Sequence, residues 1–502
     1  MRRSGISLRL LTPAFVLGAL AALGQAPLDL WWISLPALAG VVAIVGQAAC
    51  AKARLALGWV AGCGYFLGSL FWIVEPFMVD AATDGWMAPF ALVGLTGGMA
   101  LFWALAAGFS CLGRSPAGRA YGFALGLVCS DLVRTYVLTG FPWALVGHIW
   151  ISTPVAQLAT FAGPVGLSAL TASAAFLAGA APGGRIKGIA AAGFLVGAAW
   201  GFGAWRLAQP EAPRSPAIHV RLVQPNATQA LKWQPGMWDV FLDRLTAESE
   251  APAAQPLDLI VWPETSVPYL LEDAGPILAS VTELNGHVPL AVGIQRAVGT
   301  RYFNSLALTD AGGDVIATYD KHHLVPFGEY VPFGDQLAMF GISAFAAQEG
   351  NAYSAGNGPA ILNSARAGRI LPLICYEAVF PQDLRTGSQR ADWILQVTND
   401  GWFGELAGPY QHLAQARLRA IEQGLPLLRA ANTGVTAAFD AKGREIGRLP
   451  FETVGHLDLA VPPALSETTY AIFGDWINIL MILFSLTIYP LVDAKRKWRK
   501  TR

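Results

Sequence analysis

Eight apolar stretches punctuate this chain, each near the length of about 20 residues that carries a helix across the hydrocarbon core of a bilayer. They lie near 8–24, 29–49, 55–74, 87–112, 119–138, 155–181, 187–207 and 471–492. Hydrophobic residues make up 54% of the sequence and charged residues 14%, against about 25% charged in ordinary soluble domains. The excess is uneven, because residues 208–470 have the composition of a water-soluble domain. The expected organisation is a membrane domain over 1–207 with seven transmembrane helices, a soluble domain over 208–470, and an eighth transmembrane helix with a basic tail over 471–502. A formal net charge of zero gives no reason to expect nucleic acid as a partner.

Lys and Arg in the short loops set the orientation. Arg2, Arg3 and Arg9 precede the first stretch, as the n-region of a signal peptide would, but six further spans follow and no convincing cleavage site ends it. Basic residues recur at Lys52/Arg54, Arg114/Arg119, Arg185/Lys187 and from Lys495 to Arg502, while the alternate loops carry Asp29, Glu75, Asp80 and Asp84, with Arg134 as the exception. This alternation predicts both termini in the cytoplasm and the 208–470 domain on the other side. Gly58/Gly62, Gly64/Gly68 and Gly94/Gly98 have the spacing that lets helices approach closely, and helix packing is the expected use of all three pairs.

From Ala217 the period of the pattern shortens. Strands are predicted over 218–223, 257–262, 288–293, 305–309, 315–319, 370–374, 393–397, 427–431 and 436–439, and helices over 238–249, 274–284 and 411–423. Interleaved strands and helices indicate a layered α/β domain. Gly312-Gly313 and Ala441-Lys442-Gly443 read as hairpin turns, so the sheet is mixed.

Cys375 is the only cysteine of the polar stretch; Cys50, Cys63, Cys111 and Cys129 lie in or beside apolar segments. In an oxidising compartment it has no disulfide partner there, which marks it as a candidate nucleophile. Two other polar residues also follow predicted strands: Glu264 after Trp262-Pro263 and Lys321 after Tyr319-Asp320. Carboxyl ends of strands are where α/β sheets assemble sites. A carboxylate can take the thiol proton, the thiolate can attack a carbonyl, and the ammonium can hold the oxyanion. Singly, each has a plainer reading: a solvated carboxylate, a surface charge and a small core hydrophobe. No metal site competes, since adjacent His322 and His323 point to opposite sides of an extended chain and no cysteine pair has ligand spacing.

With their flanks, the three residues resemble the Glu-Lys-Cys signature of the nitrilase superfamily. The matching runs are Trp262-Pro263-Glu264-Thr265, Tyr319 to Pro332 and Ile374-Cys375-Tyr376-Glu377, with Asn399-Asp400-Gly401-Trp402-Phe403 beside them. Soluble nitrilases lack the eight spans. A nitrilase-like domain between the seventh and eighth is similar to the apolipoprotein N-acyltransferase family, and the likeness includes Gly140-Phe141-Pro142-Trp143 after the fifth span.

The resemblance implies a multi-span α-helical membrane domain plus an α/β nitrilase-like αββα sandwich on the periplasmic side of a bacterial inner membrane. It implies Glu264 as general base, Lys321 as oxyanion stabiliser together with the backbone N–H of Tyr376, and Cys375 as nucleophile whose pKa a nearby ammonium lowers. The reaction implied is a ping-pong transfer through a Cys375 thioester. The acyl chain comes from a phospholipid, by analogy phosphatidylethanolamine, and goes to the N-terminal amine of a diacylglyceryl-cysteine apolipoprotein. No cofactor or metal is implied, and a monomer is expected. Glu329 and Glu377 match positions that orient Lys321 and the Cys375 loop, with ordinary salt bridges as the alternative. Trp233 and Asn304 match similarly, Trp233 along the acyl path or in the core. Phe327, Tyr330, Phe333, Leu337, Met339, Phe340 and Phe345 form either a lipid-facing lid or a core helix.

Two other functions compete. A membrane-tethered nitrilase-type amidase would use the same three residues but admit water to the acyl-enzyme. A transporter or lipoprotein chaperone would carry ionisable groups inside its spans, where Asp131 is the only clear acidic candidate.

Overall fold

The computed structural model describes residues 8–232, 234, 236–332, 352–387 and 389–494. The chain divides into two compact units, one of residues 1–209, 406–418 and 468–502, the other of 210–405 and 419–467.

The first unit is helical: α1 (Leu11–Ala22), α2 (Trp31–Gln47), α3 (Ala51–Leu70), α4 (Ala88–Gly108), α5 (Pro116–Tyr136), α6 (Ala159–Ala180), α7 (Arg185–Ala208) and a further helix at Trp476–Ala494. Each overlaps one of the eight apolar stretches. Four helical segments, Ala51–Met78, Gly85–Leu112, Pro154–Ala180 and Arg185–Ala208, are long and apolar enough to cross a membrane. The 12-residue α1 extends only about 18 Å at 1.5 Å per residue, and α5 is long but carries Arg119, Asp131 and Arg134.

Small residues set the helix contacts. A Cβ on Gly18 would lie 1.9 Å from the Ala61 carbonyl oxygen and one on Gly64 2.1 Å from that of Phe15, so α1 and α3 touch backbone to backbone. Gly58 and Gly62 meet α4 in the same way, at Trp103 and Ala100. The expectation for Gly94/Gly98 is overturned: a Cβ at either would meet nothing within 4 Å. That stretch of α4 is an outward face, with Phe90, Val93, Leu101 and Leu105 exposed nearby, and apolar outward faces are what lipid solvates.

Helix α6 is broken at Ala162 and Gly163, where φ of Gly163 is +59°, immediately before Pro164. The ring of Tyr470 occupies the space a Gly163 side chain would need. The Ala162 carbonyl, released by the break, accepts a 2.9 Å hydrogen bond from Asn478 Nδ2. A second internal polar cluster lies on α5. Asp131 Oδ1 receives Arg134 Nη2 at 2.9 Å, and its Oδ2 receives the Val146 N–H and the Ser168 hydroxyl. Arg134 donates further to the carbonyls of Trp143 and Ala144, which pins the extended segment after Gly140. Asp131 therefore serves as a structural tether, not as a free intramembrane carboxylate.

The second unit contains two six-stranded sheets, ordered β12-β1-β2-β3-β4-β5 and β11-β10-β9-β8-β7-β6. Strands β1 (His219–Gln224), β2 (Leu259–Trp262) and β3 (Leu290–Val298) run parallel, as do β7 (Gly368–Ile374), β8 (Trp393–Thr398) and β9 (Leu427–Ala431). Antiparallel β4 (Arg301–Thr309), β5 (Val315–Asp320), β10 (Thr436–Phe439), β6 (Leu362–Ser364), β11 (Glu445–Leu449) and β12 (Gly455–Ala460) complete them.

Period-two alternation builds the layers. Val220, Leu222, Leu259 and Val261 join Ile370, Ile374, Leu395 and Val397 in a core between the sheets. The alternate residues Val223, Ile260, Trp262, Leu290 and Val292 pack outward on Leu245 of the Met237–Glu250 helix and Leu278 and Val281 of the Gly275–Leu284 helix. Arg221, fully buried, pairs with Asp458 and caps carbonyls at the end of the Met237–Glu250 helix. Truncating a fully buried side chain such as Leu395 costs about 2–5 kcal/mol in cores of this kind.

The three strands the sequence pattern does not reveal are β6, β11 and β12. All are sheet edges, short or half-exposed, and an edge strand lacks the two-sided burial that writes an apolar run.

Candidate active site

Three strand ends of the sandwich unit supply the central groups. Glu264 follows β2, Lys321 follows β5 and Cys375 follows β7. All three are nearly closed to solvent, with exposures of 6%, 1% and 5%.

Glu264 is held through both its main chain and its carboxylate. Its carbonyl accepts from Asn432 Nδ2 at 2.6 Å and from Lys232 Nζ at 3.3 Å. Oε1 accepts from Asn304 Nδ2 at 2.7 Å, and Oε2 from the Asn399 backbone N–H at 2.7 Å. Asn399 is in turn fixed by Gln229 Oε1. Beside this turn, a Cβ on Gly293 would fall 2.2 Å from the Pro263 carbonyl oxygen. Only glycine lets β3 run so close to the glutamate.

Lys321 Nζ lies between two carboxylates, 2.9 Å from Glu329 Oε1 and 3.6 Å from Glu264 Oε1. Asn304 Nδ2 also reaches Glu329, at 3.1 Å, so one amide links both acids. The other oxygen of Glu329 accepts the Val325 N–H at 2.8 Å. Burial disfavours the ammonium, but Glu329, Glu264 and the nearby Cys375 outweigh it and hold Lys321 above the usual lysine range. Lys321 is a fixed cation. Lys232, more weakly supported by Glu264, is pushed down to about 8 by burial.

Cys375 opens a short 3₁₀ turn, Cys375–Val379, with φ of +49°, a left-handed conformation that non-glycine residues rarely adopt. What holds it there is visible on both sides. The Ile374 N–H donates to Glu377 Oε2 at 2.7 Å, and the Cys375 carbonyl accepts from Gln396 Nε2 at 3.1 Å. Glu377, completely buried, also receives the Tyr319 hydroxyl and the His322 backbone N–H through Oε1. Tyr376 is buried, with its ring edge-on to Phe380.

Two expectations change here. Burial and then the Glu264 charge push the Cys375 thiol well above the ordinary thiol range, and Lys321 offsets only part of this. The thiol therefore rests protonated, because a buried thiolate beside a carboxylate costs more than one ammonium returns. Nor do His322 and His323 diverge: His322 Nε2 lies 3.5 Å and His323 Nδ1 3.0 Å from the same carboxylate, Asp383. The chain leaves its extended conformation after β5, so the alternation of an extended strand does not apply. Among the described residues no group of His, Cys, Asp and Glu has the arrangement of a metal site.

Of the remaining predicted residues, Trp233 lies outside the described residues, as do Phe333, Leu337, Met339, Phe340 and Phe345. Phe327 is exposed, and its φ is +63°. Gln229, Gly293, Asn432 and Asp383 escaped the sequence reading. They lie far along the chain from one another, and each carries an ordinary role until the sheets are assembled.

The geometry is thus a buried thiol under the charges of a carboxylate and an ammonium, with a second carboxylate fixing the ammonium. A family model described as carbon-nitrogen hydrolase matches residues 220–470, and one described as the apolipoprotein N-acyltransferase N-terminal domain matches 17–177. A curated apolipoprotein N-acyltransferase from Brucella melitensis biotype 1 is 38% identical, with 94% of this chain and 93% of the relative covered. One from Sinorhizobium medicae is 37% identical, with 91% and 90% covered. Among solved structures, the Xanthomonas campestris CN-hydrolase superfamily protein XC1258 matches at 20% identity and a TM-score of 0.36, covering 53% of this chain and 97% of its own. An amidase from Nesterenkonia sp. matches at 19% and 0.37, covering 53% and 100%.

Proposed function

The chain belongs to the apolipoprotein N-acyltransferase family, a family of membrane acyltransferases built on the nitrilase fold, and from this premise we propose a two-stage acyl transfer through Cys375. The observation that carries the reading is the convergence of Glu264, Lys321 and the buried Cys375 at three strand ends, with Nζ of Lys321 3.6 Å from Glu264 Oε1.

In the first stage Cys375 Sγ attacks the sn-1 ester carbonyl of a phospholipid, with phosphatidylethanolamine as the proposed donor. Because the resting thiol is protonated, Glu264 accepts its proton as the C–S bond forms. The tetrahedral oxyanion is met by Lys321 Nζ and the backbone N–H of Tyr376, aimed beforehand by Glu329 and by the left-handed turn at Cys375. Collapse breaks the ester C–O bond, and Glu264 returns the proton to the departing lysophospholipid oxygen. In the second stage the N-terminal amine of a diacylglyceryl-cysteine apolipoprotein attacks the thioester. Glu264 takes the amine proton and the C–S bond breaks, and the proton then passes to Sγ. A thioester converts to an amide downhill, so no nucleotide is required.

A buried thiol suits a lipid donor, since a site closed to water protects the thioester from hydrolysis. The alternating Lys and Arg of the short loops support a sandwich on the periplasmic side with both termini in the cytoplasm. The test is to incubate the full-length protein with acyl-labelled phosphatidylethanolamine vesicles and no acceptor, then map the label by mass spectrometry. An acyl group on Cys375 that leaves on addition of a diacylated peptide is the expected result. Release of free fatty acid without a Cys375 adduct would instead support a hydrolase.

A further inference from the structure

Next to the catalytic lysine stands a histidine that the reaction as written does not use. His322 Nδ1 lies 2.7 Å from Glu377 Oε1 and 2.8 Å from the Tyr319 hydroxyl. That hydroxyl donates its own proton to Glu377 at 2.9 Å, so toward the imidazole it offers a lone pair. The other nitrogen, Nε2, faces Asp383 Oδ1 at 3.5 Å. Both ring nitrogens therefore look at acceptors, and only a doubly protonated ring satisfies them. The remaining titratable neighbour, His323, gives its Nδ1 to Asp383 and stacks on Phe380 with ring centres 3.4 Å apart.

We propose that His322 is a positioning residue, cationic at neutral pH, which with Asp383 locks the lysine-bearing strand end onto the turn that presents Cys375. The chain connectivity makes this a short lever at both ends. His322 follows Lys321 directly, and Glu377 holds the N–H of Ile374, the residue before Cys375. The same carboxylate accepts the backbone N–H groups of His322 and His323. One buried anion thus gathers the chain on either side of the reacting groups, and the imidazolium supplies its countercharge. Burial opposes the cation, but hydrogen bonds to Asp383 and Glu377 outweigh it and raise His322 to about 10. Asp383 is correspondingly held below the usual carboxylate range, its two histidine hydrogen bonds outweighing burial.

The proposal rests on the acyl-transfer reading, and two readouts on the full-length protein separate them. The first is the single-turnover rate of Cys375 acylation from phosphatidylethanolamine vesicles; the second is alkylation of Cys375 by chloroacetamide, which needs no acyl transfer. In His322→Gln, acylation is expected to fall by about 100-fold, the scale of a 1 Å misplacement. Alkylation is expected to rise as the buried thiol is released, and donor KM to stay unchanged. The wild-type protein should show the same opposed changes as pH passes about 10, and His322→Gln should show no such step. Asp383→Asn should move both rates in the same directions by less, and His322→Arg should restore at least half of each. Wild-type rates in both His322→Gln and Asp383→Asn, or no recovery with His322→Arg, would overturn the proposal. Absence of any acyl adduct in the wild type would defeat the acyl-transfer reading alone, and the alkylation series would still judge the lever.

Discussion

In the helical unit Asp131 faces one cation, Arg134, and its second oxygen is met by the Val146 N–H and the Ser168 hydroxyl. In the sandwich unit Lys321 faces two carboxylates, and they are not equivalent: Glu329 stands at 2.9 Å and Glu264 at 3.6 Å. The first arrangement balances charge one to one and directs its other hydrogen bonds to the Val146 N–H and to Ser168 of α6. The second leaves Glu264 outside the tight pair, beside a buried thiol, with Lys232 on its main chain as a second cation. Burial of an ion pair alone therefore does not mark a functional site; a carboxylate kept off the tight pair and held in place by a neutral amide and a backbone N–H does.

That contrast can be broken by experiment. The largest effect is expected from Glu264→Gln, which removes the proton acceptor at nearly constant volume: acylation of Cys375 per folded molecule should fall by about 10²–10⁴-fold. A loss of only a few-fold would mean that Glu264 is not the base. Glu329→Gln removes the closer carboxylate, so Lys321 should move toward Glu264 and quench it. Single-turnover acylation should then drop by about 100-fold, and Glu329→Asp should recover part of it.

Asp131→Asn should act on the opposite quantity. It strands the buried Arg134 guanidinium, which costs about 3–5 kcal/mol where one partner of a buried pair is removed. The thermal midpoint should fall while the rate per folded molecule holds. A lost rate with an unchanged midpoint would make Asp131 functional and dissolve the comparison.

The smallest effect is on stability against pH. The folded-state pKa of His322 is raised, so its contribution is complete below about 6.5, the ordinary histidine value, and is lost as pH rises through about 10. Asp383 is depressed, so its share is present above the ordinary carboxylate value and lost as pH falls below it. Denaturation midpoints measured from pH 4 to 10 should decline on the alkaline side in the wild type. His322→Gln should flatten that decline.

The sequence shows most clearly what is repeated or two-sided. The eight apolar stretches and eight strands with buried runs follow from periodicity, as does the edge strand β5, and the turns at Gly312-Gly313 and Ala441-Lys442-Gly443 follow from their glycines. The edge strand β12, half-exposed and polar, does not. In the site, Glu264, Lys321 and Cys375 could be picked out because each follows an apolar strand. Gly293 and Asn432 could not, because their importance is a matter of approach across strands and leaves no local pattern. The protonation of the thiol was also hidden: neighbouring charge can be guessed from a motif, but the depth of burial that outweighs it belongs to the folded sheets.

The break in α6 has a consequence for how the molecule is made. The carbonyl freed at Ala162 is answered by Asn478, 316 residues later in the chain, and Tyr470 fills the notch at Gly163. Until that distant segment has been synthesised and has docked, the broken helix carries an unanswered polar group in an apolar setting, which favours continued sampling over closure. Completion of the helical unit is thereby tied to synthesis of the segment holding Tyr470 and Asn478, after the whole sandwich has been made. The Trp476–Ala494 helix acts as a latch on assembly order, and chains halted before Asn478 should be the ones that quality control removes.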